Sequence, residues 1–164
     1  MTFPETVWEG RRITTAIRAE VAGVGYEGQT IEAFVSALER QGVQRLVDVR
    51  LTPLSRKRGF SKSALIQALA TAGIAYEHRR ELGNPKHNRA GFAGSDADRS
   101  QARAVFAELL RRPEAIDAVA AAAAREQVVV LCFEADQHRC HRDLVLAELT
   151  QRAVTGRGSR RRAR

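Results

Sequence analysis

The sequence has few cysteines and no long apolar run. Two of its 164 residues are cysteines, too few for the disulfide framework that stabilises small secreted domains. No uninterrupted apolar segment approaches the ~18 residues that a membrane helix requires, and the first residues lack the basic and apolar pattern of a secretory signal. We therefore expect a cytoplasmic protein with reduced thiols and no membrane partner.

Acidic residues are absent near the C-terminus. The segment from Gln151 to Arg164 contains six arginines and no acid, so it accounts for six of the eight net positive charges. The remainder is only mildly basic, and the total charge is weak guidance to binding partners. With 44% hydrophobic residues, the chain can bury the core of one domain. We expect an appendage at residues 1–15, an α/β domain at 16–154 and a flexible basic tail at 155–164.

Strand and helix patterns alternate along the domain. Short apolar runs predict strands at residues 19–24, 45–49, 74–77 and 128–133. Apolar residues at helical spacing predict helices after these strands, including two between the third and the fourth strand, at residues 100–110 and 114–125. No helix is predicted in the polar stretch at 79–94. The alternation is typical of a three-layer, Rossmann-like domain, in which a mainly parallel sheet of four or five strands has helices on both faces. Because the last run is apolar on both faces, we expect it to be an inner strand.

Polar loops follow the carboxyl ends of the predicted strands. In open parallel sheets the ligand crevice lies at this edge, and three of the four loops are dense in cations and hydrogen-bond donors. This composition predicts a site for an anion, with phosphate as the first candidate. The expected anion- or substrate-binding residues are Arg50, Arg142, Tyr26, Ser55, His78 and Asn84. The alternatives are that the loops are polar only because they are exposed, and that His78 is a hydrogen-bonded structural residue.

Cys140 is the candidate nucleophile. It stands at or just before the start of the last helix, where the helix dipole and nearby cations lower a thiol pKa. Four basic residues surround it: His138, Arg139, His141 and Arg142. We therefore expect Cys140 to be the more reactive thiol, with a histidine such as His141 accepting its proton. The alternative is a small helix-capping residue in a tight turn.

Cys132 lies inside the last apolar run and is expected to be an inert core residue. Its distance from Arg139 is one residue too long for the Cys-x5-Arg loop of phosphatases. A zinc site could draw on both cysteines with His138 and His141, but neither Cys-x2-Cys nor His-x3-His spacing is present. We therefore expect neither a metal ion nor another cofactor. A transient disulfide between the two cysteines is geometrically possible.

Asp48 and Glu134 form the second candidate set. Each follows a predicted strand closely, so both could face one crevice and act as an acid/base pair, hold Mg²⁺ or bind a ribose. The alternative is an ion pair inside the site, for example between Asp48 and Arg50 or Arg142.

Four ordered blocks resemble the family called domain of unknown function 488 (DUF488). They are GYEG at 25–28, LVDVRLTPLS at 46–55, YEHRRELG at 76–83 and CFEADQHRCHR at 132–142, and the resemblance spans about residues 21–149. It implies one compact, intracellular α/β domain of bacterial or archaeal type. It places Asp48, Arg50, Glu134, Cys140, His141 and Arg142 on the motif positions of the family, but it supplies no activity. Such chains usually carry a further strand after the last helix, whereas only residues 152–154 precede the tail here.

These observations favour an enzyme, or a descendant of one, that acts on a phosphate-bearing substrate such as a nucleotide or nucleic acid. The catalytic candidates are Cys140, Glu134, Asp48 and His141, with either a cysteine nucleophile or carboxylate acid/base chemistry. The alternative is a non-enzymatic nucleic-acid-binding accessory protein that uses its basic loops and tail, and a small-molecule sensor is a third possibility. A steep dependence of affinity on salt would favour the accessory protein.

Overall fold

A parallel sheet forms the centre of the molecule. The computed structural model describes residues 21–111 and 113–161, and these contain four strands: β1 (Ala22–Gly25), β2 (Arg45–Asp48), β3 (Ala75–His78) and β4 (Val128–Cys132). The strand order is β1-β4-β2-β3, and all three pairings are parallel. All five residues of β4 are buried. The α/β prediction and the inner position of this strand are therefore confirmed.

Six helices surround the sheet in the described part of the chain. They are α1 (Ile31–Arg40), α2 (Lys62–Thr71), α3 (Arg89–Ala93), α4 (Asp96–Leu109), α5 (Pro113–Ala123) and α6 (Arg142–Arg161). Helix α4 begins four residues before its predicted start at Ser100, because the side chains of Ser95 and Asp98 form a capping box with the first turn. The polar stretch at 79–94, in which no helix is predicted, contains two 3-10 turns and α3.

The helices lie on both faces of the sheet because the strand side chains alternate in direction. Leu46 and Val129 belong to one core with residues of α1 and α2, such as Phe34 and Leu65. The neighbouring strand residues Val47 and Val130 belong to a second core with the following helical residues: Phe106 of α4, Ile116 of α5 and Val145 of α6. Burying each large apolar side chain contributes about 1.5–3 kcal/mol. The three-layer architecture is confirmed.

The ends of the chain lie partly outside the described residues. Residues 1–15 and 162–164 belong to the part that is not described, while the backbone of α6 continues through residues 155–161 as a helix. The flexibility expected for the basic tail at 155–164 therefore stays a prediction. Among the described helices, none is both long enough and apolar enough to cross a membrane.

Candidate functional site

A cavity of ≈ 330 Å³ lies at the carboxyl ends of the strands, where the loops after all four strands contribute to its lining. It is lined by seven of the ten predicted site residues: Tyr26, Arg50, Ser55, Asn84, Glu134, Cys140 and His141. The loops after β1 and β4 approach each other closely. A Cβ atom on Gly25 would lie 2.0 Å from the backbone oxygen of Glu134, so only glycine permits this approach.

Asp48 and Arg50 form a buried ion pair. Arg50 donates from Nε to Oδ1 of Asp48 at 2.9 Å and from Nη2 to Oδ2 at 2.6 Å. Nη1 of Arg50 donates to the backbone oxygen of Phe60 at 2.8 Å and to the Tyr26 hydroxyl at 3.1 Å. The Tyr76 hydroxyl donates to Oδ2 of Asp48 at 2.7 Å. Both carboxylate oxygens are therefore occupied, as in the ion-pair alternative.

Burial and the carboxylate act in opposite directions on Arg50. Burial lowers the pKa of its guanidinium, but the hydrogen bonds and charge of Asp48 outweigh this effect and raise the pKa above its ordinary value. Burial and then the hydrogen bond to Asp48 also raise the pKa of Tyr76. Asp48 does not line the cavity. We therefore assign Asp48 to the support of Arg50 and give it no part in the chemistry proposed below.

Arg142 and His78, two predicted ligands of an anion, do not line the cavity. Arg142 is 2% exposed and donates from Nη1 to the backbone oxygen of Glu134 at 2.5 Å and from Nη2 to that of Ala135 at 3.3 Å. It thereby holds the loop that follows β4. His78 Nε2 is 2.8 Å from the backbone oxygen of Arg50, which is the structural alternative considered for this residue.

Two thiols and one imidazole meet at the floor of the cavity. Nδ1 of His141 is 3.8 Å from Sγ of Cys132 and 3.8 Å from Sγ of Cys140. Nε2 of the same ring is 3.0 Å from the backbone oxygen of Val49. A carbonyl oxygen can only accept a hydrogen bond, so Nε2 carries a proton and Nδ1 is the ring nitrogen that faces the sulfurs.

The pKa values of the two thiols are shifted in opposite directions. Interaction with the neighbouring Cys132 thiol, opposed by burial and reinforced by His141, lowers the pKa of Cys140 to about 6. The same interaction with Cys140, together with burial, raises the pKa of Cys132. The predicted direction for Cys140 is confirmed, but its main cause is the second cysteine. Cys132 is buried as expected, yet it also lines the cavity.

The helix start contributes to Cys140 as well. The backbone N–H of Arg142, the first residue of α6, donates to Sγ of Cys140 at 3.5 Å. Cys140 therefore also satisfies the helix-capping alternative, and the two roles coexist.

Glu134 stands beside these thiols. Burial raises the pKa of its carboxyl, but interactions with Cys140 and Cys132 outweigh burial and leave the pKa below its ordinary value. Its Oε2 atom is buried and has no hydrogen-bond partner among the described residues. A buried carboxylate oxygen without a partner is costly, and it is available to a bound group. Within the described chain, the side chains close enough to share one metal ion are Cys132, Cys140 and His141.

Three arginines that the analysis of the sequence did not select also line the cavity: Arg56, Arg89 and Arg139. All three are exposed. Arg89 donates to the backbone oxygen of Asn84 at 3.2 Å, and Arg139 donates to that of Ala93 at 3.2 Å. Their position in the cation-rich loops was the available signal, but nothing in the sequence distinguished them from neighbouring arginines.

A family model described as domain of unknown function DUF488 matches residues 30–149. The matched range contains the second, third and fourth of the sequence blocks, and the GYEG block precedes it. No curated protein and no solved structure matches the chain.

Proposed function

Because the chain belongs to the DUF488 family, whose description names no activity, we propose a function from the site itself. The protein is an enzyme that acts on a phosphate-bearing substrate, such as a nucleotide or nucleic acid, in the cavity at the carboxyl edge of the sheet. One observation carries this proposal: arginines and a cluster of reactive side chains line the same cavity.

The charge of the lining favours an anion. Four arginines line the cavity, and Glu134 is its one acidic lining residue in the described part of the chain. Asp48 neutralises Arg50 and Asp136 lies 3.8 Å from Arg139, which leaves Arg56 and Arg89 to attract a ligand. Guanidinium groups bind phosphate through paired hydrogen bonds. These exposed arginines, which we call the rim of the cavity, therefore suit a phosphate group.

Apolar surface beside these cations suits a nucleobase. The side chains of Leu54 and Phe133 line the cavity and are 80% and 42% exposed. Phe133 contacts the ring of Tyr26 edge to face, with 5.3 Å between the ring centroids. Stacking of a base on aromatic side chains next to arginines is a common way to bind nucleotides without reading their sequence.

The reacting end of the substrate would lie over the floor. Cys140, His141 and Glu134 can exchange a proton with a substrate or give it an electron pair. Phosphate contacts at the rim would hold the substrate, and their binding energy would orient its reacting group over the floor. Binding at the rim and chemistry at the floor are separate functions, so they can be tested separately.

Titration calorimetry with adenosine 5′-monophosphate and inorganic phosphate tests the binding step. Arg56→Gln and Arg89→Gln should each weaken binding about tenfold, which corresponds to ~1.4 kcal/mol. Arg40→Gln is the matched control, because Arg40 is exposed at the end of α1 and does not line the cavity. Equal affinities of wild type and both rim variants would remove the support for this function.

The accessory-protein alternative predicts a different salt response. Affinity for a single-stranded oligonucleotide would fall steeply with salt, because many phosphates release counterions on binding. A mononucleotide would then bind weakly, because it offers only one phosphate. An enzyme with one phosphate subsite shows a shallow salt dependence and binds the mononucleotide.

A further inference from the structure

We propose that Cys132, Cys140 and His141 bind one Zn²⁺ ion at the floor of the cavity, with the fourth coordination position open to the cavity. The inference deepens the proposed function by naming what the floor holds. Metal binding itself does not require the phosphate site, so the two can fail independently.

The two sulfur–nitrogen separations are close to those of a tetrahedral zinc site. Zinc–sulfur bonds of about 2.3 Å and zinc–nitrogen bonds of about 2.0–2.1 Å place sulfur and nitrogen ligands roughly 3.6 Å apart in a tetrahedron. The two sulfur–nitrogen separations are both 3.8 Å, and all three atoms lie within 4.8 Å of one another. The two sulfur–nitrogen distances therefore already approach those of a tetrahedral site.

The imidazole is already oriented as a zinc ligand. Its Nε2–H donates to the backbone oxygen of Val49, at 3.0 Å, so Nδ1 is the nitrogen that faces the sulfurs and can coordinate a metal ion that displaces any proton there. Histidine ligands of zinc are oriented in this manner, by a carbonyl or carboxylate that accepts the other N–H. The ring also packs edge to face against Phe106, with 5.0 Å between the centroids. The position of His141 is thus fixed by the residue that follows β2 and by α4.

The two cysteines are held from different parts of the fold. Cys132 ends β4, and Cys140 follows a 3-10 turn, so the intervening loop must fold back for the sulfurs to meet. Arg142 secures that loop through the backbone oxygens of Glu134 and Ala135. Cys132, Cys140 and His141 are 5%, 1% and 6% exposed. A buried, pre-assembled set of ligands binds metal without a large ordering cost.

The ligand types select the metal. Two thiolates and one imidazole are soft and borderline donors, which favour Zn²⁺ over Mg²⁺ or Ca²⁺. Three protein ligands with one open position are typical of catalytic zinc sites, whereas structural sites use four. Glu134 lies at the same floor with an unpartnered carboxylate oxygen. It can accept a proton from a water molecule that the ion activates.

Zinc titration of the full chain under reducing conditions tests the proposal. After incubation with Zn²⁺ and gel filtration, wild-type protein should retain one zinc ion per chain, and both thiols should resist alkylation until a chelator is added. Protons should be released on binding, because thiols lose them to the metal. Cobalt-loaded protein should show the sulfur-to-cobalt charge-transfer absorption of a tetrahedral thiolate site.

Variants then assign the ligands. Cys140→Ser and His141→Gln should each lower zinc affinity by more than the roughly 10–100-fold caused by losing a group that only orients a ligand. His138→Gln is the control, because this neighbouring histidine is 85% exposed and should leave the zinc content unchanged. Alkylation of the wild type needs no variant, so it remains informative if a variant does not fold.

Two results would overturn the site: wild-type thiols that alkylate equally fast with and without zinc, or equal loss of zinc in His138→Gln and Cys140→Ser. Calorimetry with phosphate on chelator-treated protein separates the two proposals. Phosphate binding that depends on Arg56 but occurs without any zinc site leaves the proposed function standing alone. A stoichiometric zinc site without such phosphate binding refutes the proposed function and retains the metal.

Discussion

Replacing Asp48 with asparagine should destabilise the protein strongly. The substitution keeps the size of the side chain but removes the charge that compensates Arg50, and the two side chains are 0% and 6% exposed. Removing one partner of a buried pair leaves an uncompensated charge and costs about 3–5 kcal/mol. Because whole domains are stable by about 5–15 kcal/mol, this loss is a large fraction. For a domain of this size it corresponds to a fall in Tm of roughly 6–20 °C.

Urea denaturation followed by circular dichroism measures this loss. Asp96→Asn is the matched control, because Asp96 also pairs with an arginine, Arg99, but its side chain is 98% exposed. Exposed pairs contribute no more than about 1 kcal/mol. The double variant Asp48→Asn/Arg50→Gln should cost less than the two single variants together, because it removes both charges.

The outcome decides between two roles for Asp48. A loss under about 1 kcal/mol in Asp48→Asn would refute the buried-pair reasoning. If phosphate binding or turnover then disappeared in the stable variant, Asp48 would belong to the chemistry, as the analysis of the sequence first allowed. A strongly destabilised Asp48→Asn with the expected coupling in the double variant assigns it to support.

Two further predictions concern the floor and its loop. In protein stripped of metal by a chelator, alkylation of Cys140 should rise through pH about 6, because its lowered pKa makes the thiolate available above that pH. Cys132, with its raised pKa, should alkylate only at alkaline pH, and mass spectrometry across a pH series distinguishes the two; simultaneous alkylation of both near pH ~8.5 contradicts the assignment. Gly25→Ala should cost about 1–3 kcal/mol by overpacking and should lower zinc content, because its Cβ would meet the backbone oxygen of Glu134 at 2.0 Å. An unchanged denaturation midpoint and zinc content would show that the loop tolerates the displacement.

Much of the sheet could be predicted because its signals are local. The period of apolar residues marks strands, and the doubly apolar run at β4 predicts its inner position. Helix α3 was missed because it rests on distant contacts: Phe92 is buried through packing with Phe106 of α4. The early start of α4 also has a local signal, the capping pair Ser95 and Asp98. The spacing of apolar residues does not detect this signal, because both capping residues are polar.

The site could be located from the sequence, but its roles could not be assigned. Parallel strands bring their following loops to one edge, and seven predicted residues do line one cavity there. The sequence does not indicate which charged side chains bind other groups of the protein and are therefore not available to a ligand. From the sequence, Arg50 and Arg142 are equally good candidates to bind an anion. In the structure, Arg50 binds Asp48 and Arg142 binds backbone oxygens. Exposed cations such as Arg56 remain for a ligand.

The three proposed zinc ligands also show why the spacing of cysteines and histidines in the sequence does not reveal this site. Zinc patterns usually rely on two ligands from one tight turn, whereas Cys132 and Cys140 are eight residues apart in sequence. They meet because Arg142 fixes the loop between them and because Val49, which directly follows β2, orients His141. The last block of the sequence therefore combines reactive atoms with the side chain that positions them. Its arginine contributes to the site from beneath the cavity, without reaching a substrate.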